Sequence, residues 1–205
     1  SKGSGLGLYI SEEFIFEELP SLCITTANIE ALFVKITNTK EELTVGVVYR
    51  PPNGNLKLFL LEIQEILKKL PKDHVYLVGD FNINLHDIDE DNYASKFDRT
   101  ILEHGFAPSI SLWTHCMPNH RETCIDNIFT NAFESISSSC SILECVSHHL
   151  PLICSASSPD YEISCTSPDN ETPQPRYEFN QANCDKLRSS TTELADVHLS
   201  VSFIH

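Results

Sequence analysis

The feature that most restricts the fold of this chain is a change of hydrophobic period near residue 55. Before it, apolar residues come in short runs of strand character: LGLYI from Leu6 to Ile10, alternating EALFVKIT from Glu30 to Thr37, and β-branched LTVGVVY from Leu43 to Tyr49, ending at Pro51 and Pro52. From Asn55 to Leu70 the spacing becomes helical. Leu56, Phe59, Leu60, Ile63, Ile66, Leu67 and Leu70 recur every three or four positions, Lys68 and Lys69 fall in the last turn, and Pro71 ends the pattern. HVYLV, from His74 to Val78, then reads as a buried strand. An antiparallel meander is thus followed by an amphipathic helix and a buried strand.

Further on, Phe97, Ile101 and Leu102 predict a helix over Ser95 to His104, closed by Gly105, while the acidic run Asp87 to Asp91 reads as a solvated loop. Strands are expected at Cys124 to Phe129, Ser141 to Val146 and Leu150 to Cys154. The composition then shifts to Ser, Pro, Asp and Thr, which cannot bury enough apolar surface to offset chain entropy. The expected organisation is therefore one domain over residues 1–155, a disordered linker over 156–180, and a tail over 181–205. The tail could hold a short helix between Gln181 and Asp196, and its closing VHLSVSFIH has no identifiable partner.

With 205 residues and 41% hydrophobic content, one sizeable core is the expectation. No run is long and apolar enough to span a bilayer, and SKGSGLGLYI has no signal-peptide pattern, so the reading is a protein of the nucleus or cytoplasm, neither secreted nor membrane-bound. The eight scattered cysteines then read as reduced thiols. His115, Cys116, His120 and Cys124 are zinc-competent types, but their spacing follows no common zinc pattern. A formal net charge of −15 argues against a module that holds nucleic acid by charge alone. It is compatible with a metal-dependent hydrolase, whose site needs carboxylates.

Four short segments carry the chemistry. In GDFNIN, Asp80 and Asn82 flank an inward Phe81, so at strand spacing both polar side chains share a face, suited to activating water beside a phosphate; an ordinary Asx turn would look the same. In VVYRPPN a strand breaks at two prolines and presents Tyr49, Arg50 and Asn53 at one rim, as phosphate contacts or as a plain strand-ending turn. In CIDNIFTN, Asp126 lies between Ile125 and Ile128, where a carboxylate needs a partner such as an imidazole, unless the strand is an edge with the acid facing water. In SHHLPL, His148 and His149 stand at the entry to an apolar strand, where one imidazole could handle a proton near neutral pH or simply lie on the surface.

In the chain order YRPPN, GDFNINL, SLWTHC, CIDNIFTN and SHHLPL, the segments resemble the endonuclease/exonuclease/phosphatase superfamily, and most closely the endonuclease domains of LINE-type non-LTR retrotransposons. The resemblance spans about Gly5 to Ser155. It implies a four-layer α/β/β/α sandwich of two mainly antiparallel sheets, here missing its first strands, with the site at one end of the sheets. It implies DNA as partner, Mg2+ or Mn2+ as cofactor, and hydrolytic nicking whose 3′-hydroxyl would serve a reverse transcriptase domain of the intact element. Carried over by residue, Asp80 would align or activate water, Asn82 would hold a phosphate oxygen, and Tyr49 would contact the scissile phosphate. His149 would stabilise the pentacovalent state and Asp126 would orient it; Thr114, Asn53 and Arg50 would touch substrate.

Two departures are visible. The family's upstream Asn and metal-binding Glu have no counterpart in this chain, which leaves no confidently assignable metal ligand, and His148 stands where the family carries Asp. Both predict weakened or lost cleavage, and leave open a catalytically inactive remnant serving as a binding or interaction module.

Overall fold

The computed structural model describes residues 6–39, 41–142, 148–156 and 197–201. Its main sheet contains β1 (Phe16–Glu18), β2 (Ile24–Thr25), β3 (Glu30–Ile36), β4 (Leu43–Tyr49), β5 (Val75–Asp80), β6 (Ala107–Pro108) and β7 (Asp126–Thr130). The order is β1-β3-β4-β5-β7-β6, with β2 also on β3, and every pairing is antiparallel except β4 with β5. That parallel pair is joined by α1 (Leu56–Leu67), as a crossover between parallel strands requires. A second, antiparallel sheet has the order β10-β9-β8, formed by β8 (Ile136–Ser141), β9 (Leu152–Ala156) and β10 (Val197–Val201).

The helices start where short polar side chains can cap them. Asn55 accepts from the backbone N–H of Leu58 at the start of α1, and Asp91 accepts from Tyr93 and Ala94 at the start of α2 (Asn92–Glu103). Asp91 thus leaves the predicted solvated run to serve as a cap. Gly105, at φ +82°, takes the left-handed turn that ends α2.

Each face of the main sheet has its own core. Phe33, Phe59, Ile63, Leu77, Phe81, Phe97 and Phe129 pack on the helix side, with Phe81 and Phe129 edge to face at 4.9 Å. Val34, Val45, Tyr76, Val78, Ile128, Leu152 and Cys154 pack on the other, where β9 lies. The described residues thus supply three of the four expected layers: helices, large sheet, small sheet. Among them no helix is long and apolar enough to cross a membrane.

Two expectations are corrected. Leu6 to Ile10 is not a strand; Leu8 and Ile10 pack on the inter-sheet core, and β1 and β2 take the free edge of β3 instead. A strand not expected from the sequence runs over Ile136–Ser141, and most of the strand expected from Ser141 to Val146 falls outside the described residues. The segment VHLSVSFIH does have a partner, since Val197–Val201 runs antiparallel to β9 from Val197↔Ala156 to Val201↔Leu152. Val197, Leu199 and Val201 alternate with His198 and Ser200, the period of a β-strand, so the element was legible although its partner was not. The rest of the expected linker and tail falls outside the described residues.

Candidate functional site

Strand register builds the site. Tyr49 is the partner of Asp80 across β4 and β5, and Asp80 is the partner of Asp126 across β5 and β7, so one row at the sheet's end carries a phenol and two carboxylates. Partners across adjacent strands point to the same face. Here it is the inter-sheet face, because Tyr76, Val78 and Ile128, two or four residues along, all lie in that core. Gly79 permits this alignment: a Cβ there would collide with the carbonyl of Val48, pushing β4 and β5 apart.

His149 reaches the row from the segment entering β9. Its Nδ1 lies 3.0 Å from each carboxylate oxygen of Asp126, which is 0% exposed. An ionised carboxylate only accepts, so Nδ1 carries the proton, and the bond fixes the tautomer and the orientation of the ring. Burial pulls the imidazole pKa down, but the hydrogen bond that Nδ1 donates to Asp126 and the charges of Asp126 and Asp80 outweigh it and raise it above its ordinary value. The buried strand acid and its imidazole partner are thus met as expected.

Asp80, 1% exposed, is held by the next polar residue: Asn82 donates from its backbone N–H to Oδ1 and from Nδ2 to Oδ2, both at 2.9 Å. Burial first, and then the charge of Asp126, push this carboxyl up to about 7, against the lowering pull of His149 and Asn82. Asn82 sits at φ +49°, a left-handed turn that Asn tolerates better than most residues. Its other amide hydrogen goes to the backbone oxygen of Arg50 at 2.9 Å. Both amide hydrogens are therefore engaged within the protein, and the residue fixes Asp80 where a phosphate contact was expected.

Burial raises the Tyr49 phenol, and the charges of Asp80 and Glu30 raise it further, so it remains a hydrogen-bond donor at neutral pH. Glu30 was not expected here. It is the β3 partner of Tyr49, extending the row to a fourth strand, and its sequence signal was only that of a polar residue in an alternating strand. His115 was considered only for zinc. Its ring centroid lies 4.6 Å from that of His149, and its backbone bridges both Thr123 and His149.

Two expected substrate contacts turn inward. Arg50 is 4% exposed, and its guanidinium donates to main-chain carbonyls. Thr114 is 0% exposed; its hydroxyl oxygen accepts from the N–H groups of Ile125 (3.2 Å) and Asp126 (3.0 Å), and its carbonyl accepts from Leu150 at 2.7 Å. It binds together the segments that carry the acid and the imidazole. Asn53 is exposed on the turn after β4, and His148 is exposed beside His149.

Among the described residues one group of three or more metal-competent side chains converges: Asp80, Asp126 and His149, with ligand atoms within 4.8 Å of one another. The group His115, Cys116, His120 and Cys124 does not gather; Cys124 is buried with Sγ 3.9 Å from the Ile110 carbonyl. Since His149 Nδ1 is committed to Asp126, the donors the central group offers are carboxylate oxygens, which suit Mg2+ or Mn2+. Two buried carboxylates beside one imidazole also repel each other, which a divalent cation would relieve.

A sequence profile of the endonuclease/exonuclease/phosphatase family matches residues 1–158. Among solved structures, the endonuclease domain of TRAS1, a telomere-specific non-LTR retrotransposon, superposes with a TM-score of 0.61 at 18% identity, covering 72% of this chain and 69% of that one. TDP2 from D. rerio, complexed with a single-strand DNA product, matches at a TM-score of 0.45 and 16% identity over 69% and 66% of the two chains. Beta toxin from Staphylococcus aureus, with bound magnesium ions, matches at 0.41 and 16% over 62% and 57%. No curated protein matches.

Proposed function

The chain belongs to the endonuclease/exonuclease/phosphatase family, and from that premise we propose that it is a DNA endonuclease domain of retrotransposon origin, hydrolysing phosphodiester bonds with a divalent cation. The observation carrying this reading is the Tyr49, Asp80 and Asp126 row closed by His149 from the other sheet.

Water is activated by Asp80, whose carboxyl, pushed up to about 7 and fixed by Asn82, is poised to take a proton near neutral pH. Tyr49 donates its phenolic proton to a phosphate oxygen. His149, oriented through Nδ1 by Asp126, presents Nε2 to the charge developing on the phosphoryl group. A divalent cation held by the oxygens of Asp80 and Asp126 would supply Lewis-acid charge beside the same group. The product strand would end in a 3′-hydroxyl, the primer that a reverse transcriptase domain of a retroelement needs.

The test is nicking of supercoiled plasmid with Mg2+ or Mn2+. Slow, metal-dependent nicking that His149→Ala abolishes is expected. His148 in place of the family's carboxylate favours the second reading, an inactive binding module, because replacing such supporting groups lowers activity by about 10- to 100-fold. Nicking no faster than that of His149→Ala would decide for the module.

A further inference from the structure

We propose that Arg50 is a positioning residue for hydrolysis: a buried guanidinium clasp that locks the turn after β4 to the turn after β5 and, through Asn82, sets the position of Asp80. The inference rests on the hydrolytic reading of this site.

Nε donates to the carbonyl of Phe81 at 2.7 Å and Nη2 to that of Asn82 at 2.7 Å, while Nη1 reaches Pro51 at 3.1 Å and Gly54 at 3.3 Å. One side chain thus ties two carbonyls of the acid-bearing turn to two of its own. The backbone closes the clasp from the other direction, since Arg50 N–H donates to the Asp80 carbonyl at 2.9 Å and Arg50 O accepts Asn82 Nδ2. From its left-handed turn Asn82 holds Asp80 by both its backbone and side-chain amides, and the carbonyls of Phe81 and Asn82 in that turn are what Arg50 grips.

The chemistry explains why arginine occupies the position. Five N–H donors in a planar fork serve carbonyls on both sides at once, whereas a lysine ammonium offers three donors from a single point. Burial draws the guanidinium pKa down, yet arginine is not deprotonated in proteins, so the clasp holds across the working pH range. With four of its five N–H donors on main-chain carbonyls and 4% exposure, Arg50 acts on the reaction through Asn82 and Asp80, without touching phosphate.

Three measurements test this. In the unmodified protein, the Arg50 Nε–H resonance should exchange slowly and keep its position when a short DNA duplex is added in the presence of Ca2+; a DNA-dependent shift would overturn the proposal in favour of direct contact. In Arg50→Lys the two Asn82 side-chain amide hydrogens should lose their exchange protection, and unchanged protection would also overturn it. In nicking kinetics Arg50→Lys should lower kcat by about 10- to 100-fold with KM nearly unchanged, the pattern of a misplaced reacting group. A rise in KM at constant kcat would refute the positioning role. If the unmodified protein does not nick, the hydrolytic reading fails by itself, and the two resonance measurements still decide whether the clasp exists; if Arg50→Lys does not fold, the Nε–H measurement alone decides.

Discussion

Replacing Asp80 by Asn should abolish hydrolysis and, above neutral pH, make the metal-free chain more stable. The Asp80 carboxyl is raised from 3.8 to about 7 by burial and by the neighbouring Asp126. A folded-state pKa above the unfolded one means the native protein holds a proton that the unfolded chain releases. Stability is then full below about pH 4, declines as pH rises, and levels off above about pH 7. At about 1.4 kcal/mol per unit, a shift of roughly three units limits the loss to about 4 kcal/mol. Asparagine removes the charge but keeps only one acceptor for the two Asn82 N–H groups, which returns about 1–3 kcal/mol as an unsatisfied buried donor. The net gain expected at pH 8 is about 1–3 kcal/mol, and at pH 4.5 the variant should be equal to or less stable than the parent. Urea unfolding in EDTA at both pH values measures this. Magnesium should stabilise the parent and leave Asp80→Asn nearly unaffected. Parallel pH profiles for the two proteins would refute the reasoning, because the carboxylate repulsion inferred from the row would then not exist.

Thr114→Val, nearly isosteric, leaves the buried N–H groups of Ile125 and Asp126 without their acceptor and should lower stability by about 2–4 kcal/mol, whereas Thr114→Ser should retain most of it; equal losses for both by denaturation would place the effect in the methyl group. His148→Asp restores a carboxylate at an exposed position beside His149 and should raise the nicking rate about tenfold or more, a result that an unchanged rate in the plasmid assay would contradict. Salt dependence should be shallow. The formal net charge is −15, Arg50 is turned inward, and Lys35, Lys68, Arg99 and Arg121 already face Glu42, Glu65, Glu103 and Asp87, so the surface opposes rather than gathers phosphates. With about two phosphate contacts, raising salt fourfold would weaken DNA affinity only about tenfold, and a loss of 1000-fold in fluorescence anisotropy would show a cationic face this reading lacks.

The main-sheet elements were legible where one physical signal dominated. The helical spacing from Leu56 to Leu67 and the apolar run ending at Val78 each declared their structure, because each buries a face large enough to outweigh local preference. The pairing of Asp126 with an imidazole was legible for the same kind of reason, as a carboxylate among isoleucines demands a partner. The direction of Arg50 was not. A strand-ending Arg beside two prolines reads as a rim residue, and only the return of the chain through Phe81 and Asn82 supplies the carbonyls that draw it inward. Thr114 was misread likewise, since its acceptor role depends on two N–H groups more than ten residues later. Glu30 was missed because cross-strand register, which brings it level with Tyr49, is a long-range property.

Backbone pairing and side-chain bonding do different work at this site. Register brings Tyr49, Asp80 and Asp126 level, but level placement of two acids in a buried row is itself unfavourable, and sheet hydrogen bonds do nothing to aim their oxygens. Aim comes from polar contacts: Asn82 in its own turn for Asp80, and His149 from another segment for Asp126, with the backbone of Asp126 held by Thr114. The apolar cores on both faces of the sheet supply the stability against which this repulsion is set, and Phe81, packed between the two polar residues of its motif, anchors the acid-bearing turn directly in one of them. A carboxyl raised by burial and by its neighbour can therefore persist at the sheet's end because Phe81, fixed in the core, and Asn82, fixed by hydrogen bonds, cannot rearrange to avoid it.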